Sequence, residues 1–116
     1  MSLLLKGTIL MNYLTLNEEV LLLAITSLKD NAYPVSIRDK VIEMTGKNIV
    51  YGTLYNSLDY LLKKGYVVSR KGEPTAERGG KSKVYFSLTK EGVAALERTR
   101  EFHRSIWDGI DKLALE

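Results

Sequence analysis

Residues Tyr51 to Lys64 read YGTLYNSLDYLLKK, and this stretch decides the fold. Spaced at about 100° per residue, Leu54, Leu58, Leu61 and Leu62 collect on one side together with Tyr55, which predicts a helix with one face to bury. Thr53, Asn56, Ser57, Tyr60, Lys63 and Lys64 collect on the other side, with Asp59 at the border. That second face carries hydroxyls, an amide and two ammonium groups. Hydroxyls and amides bond to base edges or phosphates, and lysines neutralise phosphate charge. An ordinary solvated helix would show the same pattern, so the neighbouring segments decide between the two readings.

Upstream, Thr15-x-x-Glu18 forms a capping box ahead of an apolar run. Between Leu16 and Leu28 the apolar residues wrap most of the way round: Leu16, Val20 and Leu23 on one side, Leu21, Ile25 and Leu28 on another, Leu22 between them. A helix apolar on most sides must be covered on most sides, which in so small a domain points to a second subunit. Lys29 to Pro34 is predicted as a turn. Ser36 is predicted to cap a second helix whose core residues are Ile37, Val41, Ile42 and Met44 and which stops at Gly46. With the third helix ended by Gly65, the order is that of a helix-turn-helix.

Downstream the apolar period changes to two. Tyr66–Arg70 and Lys83–Leu88 are strand-like, and KGEPTAERGGKS between them carries the turn residues Pro74, Gly79 and Gly80. Arg70, Lys71, Arg78, Lys81 and Lys83 stand there against Glu73 and Glu77, a local excess equal to the +3 of the whole chain. A hairpin can carry such charge for solubility alone. After three helices, one with a polar face, it reads as the wing of a winged helix-turn-helix, with Arg78, Lys81 and Lys83 as phosphate contacts alongside Lys63 and Lys64.

Thr89 is predicted to cap a last helix. From Leu96, the residues Thr99, His103, Ile106, Ile110 and Leu113 follow in steps of three, four, three, four and three, the spacing of a coiled-coil seam. Charges crowd the opposite side. Pairing of this helix and the first one across a two-fold axis would cover both, so a homodimer is expected. The fold class is therefore mainly α with a small β-hairpin. Residues 1–14 are a leader without assigned order, 15–88 the winged-helix domain, and 89–116 a C-terminal dimerisation helix.

Composition sets the outer bounds. At 116 residues, 45% hydrophobic and 27% charged, the chain supports one core, and a pI near 9.1 leans towards an acidic partner. With no cysteine, disulfides, thiolate metal sites and a cysteine nucleophile are excluded, which is compatible with a cytoplasmic location. The single histidine, His103, cannot build a multi-histidine metal site. No phosphate-binding glycine loop, nucleophile elbow or paired carboxylates occur, so neither catalysis nor a cofactor is expected. Lys6, Asn12, Asn17, Glu18 and Glu19 interrupt the apolar start before it reaches the ~20 residues of a membrane span. No basic region precedes it as in a signal peptide.

Gly52-Thr53-Leu54-Tyr55, followed by Leu58, Leu61, Lys63, Gly65 and Val67, resembles the signature of the PadR family of bacterial transcriptional regulators. So does Gly79-Gly80-Lys81-x-Lys83-x-Tyr85-Phe86-x-Leu88-Thr89-x-Glu91-Gly92, and the likeness runs from about Leu16 to Leu96. It implies a homodimeric winged-helix repressor on double-stranded, palindromic DNA. The third helix of each subunit would read the operator, and the first and last helices would form the interface. Where the family often has a polar residue before the third helix this chain has Val50, so Asn48 is the expected cap. Asn56 and Tyr60 replace a frequent Pro and Arg, and in place of a usual wing Arg stands Lys81, which can hold a phosphate but lacks the bidentate fork of Arg. In drug-sensing members a Trp of the last helix stacks on planar ligands at the dimer interface. Trp107, four residues before Asp111-Lys112, stands at the matching place with Phe102 and Ile106. Burial in the seam is the favoured role for Trp107, and a hydrophobic inducer site is the second. A winged helix that binds protein instead of DNA is the other alternative.

Overall fold

The computed structural model describes residues 13–73 and 82–110. Helix α1 is Leu16–Leu28, α2 Pro34–Thr45, α3 Tyr51–Lys63, strand β1 Val67–Lys71, β2 Val84–Leu88, and α4 Lys90–Trp107. A 3₁₀ turn, Lys29–Asn31, joins α1 to α2. The result is the winged helix-turn-helix expected from the sequence.

The capping box of α1 forms: Thr15 Oγ1 accepts from the Glu18 N–H at 3.2 Å, and Glu18 Oε1 accepts from the Thr15 N–H at 2.8 Å. Inward, α1 buries Leu21, Leu22, Ala24 and Ile25. Outward, Leu16 and Leu23 remain 73% and 40% exposed.

The start of α2 differs from expectation. It begins at Pro34, whose missing N–H and fixed φ suit a first helical position. Ser36 lies inside the first turn, accepts from the Tyr33 N–H at 3.0 Å and donates to Asn31 O at 2.6 Å. Of the expected core residues Ile37 and Val41 are buried, Ile42 is half-buried and Met44 is exposed.

Helix α3 has no side-chain cap. Val50 occupies the N-cap, and Asn48 does not serve the role expected of it. Leu54, Leu58 and Leu61 are fully buried, Leu62 is half-buried, and Tyr55, expected with them, is 55% exposed. The helix ends in a Schellman turn, with Gly65 N–H donating to Leu62 O and Tyr66 N–H to Leu61 O, both at 3.0 Å. That turn aims the chain straight into β1.

The strands pair antiparallel, Val67 opposite Leu88 through Lys71 opposite Val84. Val67 and Phe86 face the core. A third segment borders the sheet, because Phe86 N–H donates to Ala32 O at 2.8 Å. Thr89 caps α4, its Oγ1 accepting from the Gly92 N–H at 3.0 Å. Gly92 is required by close approach, since a Cβ there would lie 2.1 Å from Tyr66 O.

The buried residues of α4 all lie in its first ten positions, and Phe102 and His103 make its last contacts with the domain. Ala95 and Thr99 are buried, and Thr99 Oγ1 accepts from the Leu14 N–H at 3.0 Å. Thr99 was expected on an intermolecular seam. It is used inside the subunit, because a hydroxyl there satisfies a buried backbone donor. Beyond it Ile106, Trp107 and Ile110 are 51%, 54% and 47% exposed. The helix stops at Trp107 with Asp108 as C-cap. The leader to Asn12, the loop 74–81 and residues from Asp111, Leu113 included, lie outside the described residues.

Candidate nucleic-acid interface

Three fully buried leucines hold α3 against the core, and the same helix must then turn its opposite side outward. Thr53, Asn56 and Tyr60 are exposed there and Ser57 is half-buried. These four residues line a recess of about 320 Å³ whose far wall is the start of α1, with Thr15, Asn17 and Glu18. The structure thus brings together the expected base-reading set.

Its cations each lie beside a carboxylate. Lys63 Nζ lies 3.0 Å from Asp59 Oδ2 on the helix surface. Asp59 is exposed beside Lys63, at the border of the polar face. Lys64 reaches back to α1, its Nζ 3.3 Å from Glu18 Oε2, and Glu18 is buried. Burial alone would lower the Lys64 pKa, but the Glu18 charge and hydrogen bond, with Tyr60, outweigh it and raise the pKa above its ordinary 10.5. Lys64, predicted as a phosphate contact, ties the end of α3 to the start of α1. A lysine with a buried carboxylate in reach satisfies that partner first.

Around the start of α3 lie residues that sequence reading passed over. Arg38 Nε donates to Ile49 O at 2.9 Å, and its guanidinium sits 4.8 Å over the Tyr51 ring. Tyr51 and Tyr55 lie 6.2 Å apart on the surface. The signal for Arg38 was available: it has no carboxylate three or four residues away on its own helix, so its partner had to be tertiary.

At the hairpin, Lys83 Nζ stands 4.1 Å from the centre of the Tyr33 ring, and Arg70 lies 4.6 Å over Tyr85. Arg78 and Lys81, the other two expected wing contacts, lie outside the described residues.

The three residues expected at a ligand site are not drawn into one pocket. Phe102 stacks on Tyr13 at 4.3 Å. The recess beside it is lined by Tyr13, Arg98, Glu101 and Ser105 and includes neither Ile106 nor Trp107. His103, half exposed, meets Glu19 at 3.2 Å across α1 and α4. Among the described residues no cluster of His, Cys, Asp and Glu could hold a metal ion, and no helix is long and apolar enough to cross a membrane.

A model described as the Transcriptional regulator PadR-like family matches residues 22–98. Among solved structures, a PadR family transcription regulator from Clostridium difficile is similar at 26% identity and a TM-score of 0.60, over 77% of this chain and 88% of that one. RosR of H. salinarum matches at 26% identity and a TM-score of 0.64, over 83% and 79%. F93 from STIV, a winged-helix DNA-binding protein, shares the fold at 22% identity and a TM-score of 0.62, over 84% and 97%. No protein of curated function is similar enough to match.

Proposed function

We propose, on the premise that this chain belongs to the PadR-like family of transcriptional regulators, that it is a cytoplasmic, non-enzymatic repressor binding a palindromic operator as a homodimer. One observation carries the reading. On a single helix Leu54, Leu58 and Leu61 are fully buried while Thr53, Asn56 and Tyr60 stay exposed, beside a hairpin rich in cations. Such a helix has the rigidity to enter a major groove and the chemistry to read it.

In this reading Asn56, with Thr53, Ser57 and Tyr60, faces base edges. Lys63, Lys83, Arg78 and Lys81 serve the phosphates, the last two from the wing. Dimerisation is supported by apolar residues left exposed on two helices that touch. Leu16 and Leu23 on α1, Ile106 and Trp107 on α4 and Ile110 just beyond it are all at least 40% exposed, and His103 bonds to Glu19 between the same helices. Half-sites would then be centred about 34 Å apart, or a multiple of that.

Gel-shift titration with duplexes selected from a random pool, joined to sedimentation analysis of the free protein, tests the whole reading. A dimer that retains a palindrome and prefers it over random duplex is expected. A monomer, or a dimer with no affinity for any duplex, would point to a protein-binding winged helix. A hydrophobic inducer is the second reading, favoured by one observation: Trp107 is 54% exposed in the subunit. Quenching of this single tryptophan by planar compounds, with release of DNA, is its expected signature.

A further inference from the structure

We propose that a row of rings and cations at the root of the hairpin sets the angle at which the wing meets the phosphate backbone, a role that rests on the DNA-binding reading above. The row crosses the sheet. Arg70 on β1 is paired in register with Tyr85 on β2 and lies 4.6 Å over its ring. Tyr85 in turn meets Tyr33 edge to face, 5.7 Å between centres and 69° between planes. Lys83, two residues from Tyr85 and so on the same side of the strand, places its Nζ 4.1 Å from the Tyr33 ring centre. Phe86 and Val67 face the core from the other side of the hairpin.

Tyr33 is not part of the wing. It is the N-cap residue of α2, where the helix-turn-helix unit begins. The row therefore joins two bodies whose relative angle matters for binding. A two-stranded hairpin is marginal by itself, and its direction must be fixed by what it leans on. Two hydrogen bonds reinforce the same joint: Arg70 Nη2 donates to Asp30 O at 3.1 Å, and Phe86 N–H to Ala32 O at 2.8 Å.

Gly72 completes the unit. A Cβ there would lie 2.5 Å from Tyr85 Cε2 and 3.2 Å from Cδ2, so the ring occupies the space a side chain would need. The Gly72 N–H meanwhile donates to Lys83 O at 2.7 Å, which keeps the strand ends together. The rings leave the positive charge intact, because a quadrupole attracts a cation without neutralising it. Tyr33 and Tyr85 are thus positioning residues: they hold Arg70 and Lys83 at the root of the hairpin.

The test uses the full chain, a duplex selected from a random pool, and a random duplex of equal length. Tyr85→Phe keeps the ring and should bind within about twofold of the parent. Tyr85→Leu and Gly72→Ala should weaken both duplexes about three- to tenfold, the scale of one or two cation–ring contacts. The salt dependence should flatten by about one unit of slope. Hydroxyl-radical footprints should lose flanking protection and keep the central protection given by α3. Should Tyr85→Leu unfold, Tyr33→Leu at the other end of the row gives the same readings. Unchanged slope and flanks, or a uniform loss of central and flanking protection together, overturns the proposal while leaving DNA binding standing. A parent protein that shifts no duplex removes the DNA-binding reading itself.

Discussion

Helix α3 and the root of the hairpin both hold two cations, and they hold them by different means. On α3 each lysine has a carboxylate beside it, Lys63 with Asp59 at 3.0 Å and Lys64 with Glu18 at 3.3 Å. At the hairpin, Arg70 and Lys83 rest on tyrosine rings at 4.6 and 4.1 Å, and neither forms an ion pair among the described residues. A carboxylate cancels the field of its partner, whereas a ring positions the charge and leaves it available. In the proposed reading, paired lysines leave the helix to read bases, and the ring-held cations leave the hairpin to hold the backbone. Part of this division is local, since Asp59 and Lys63 stand four residues apart on one helix, and the rest follows from packing.

The largest expected effect comes from removing the anchor of the reading side. Leu58→Ala should lower stability by about 2–5 kcal/mol, measured by denaturant unfolding, because it opens a cavity under a fully buried side chain. DNA binding should fail with it. Asn56→Ala should leave stability unchanged and reduce discrimination between operator and mutated sites by about 1–3 kcal/mol in competition titrations. Equal losses on specific and random duplexes would instead make Asn56 a backbone contact.

Lys64→Ala separates tying from holding. It should cost about 1–2 kcal/mol of stability, since it leaves a buried Glu18 without its partner, and leave the salt slope as it was. The Lys64 pKa is raised in the fold, so its contribution is fully present below the ordinary 10.5 and disappears as pH rises through the shifted value. The stability gap between parent and variant should therefore persist at neutral pH and close in strong alkali. The smallest effect has the opposite sign. Asp59→Asn should tighten binding to every duplex by under about 1 kcal/mol and steepen the salt slope, because Lys63 is then unopposed. No change in slope would mean that Lys63 does not approach phosphate.

Much of this was legible in the chain as written. The capping boxes and punctuation are local: Thr15 with Glu18, Thr89 ahead of Gly92, and Gly65 after the third helix act within a few residues, and they formed as read. Helix α3 was read correctly in its three buried leucines and misread at Tyr55. Periodicity gives the period of a face but fixes its centre only to within a residue or so, and the packing partners set the rest. Ser36 was misassigned because a proline two residues earlier offers a competing start.

The order of elements, the polar side of α3 and the excess of cations in the hairpin were decided by the sequence alone, since each depends on neighbours at most a few residues apart. Beyond the local Asp59–Lys63 pair, which cations meet a carboxylate and which a ring was decided only by the tertiary structure. Lys64 and Glu18 are 46 residues apart, and Tyr33 and Lys83 also come from separate elements. Whether a charge meets a carboxylate or a ring depends on surfaces that exist only once the helices and the hairpin have packed.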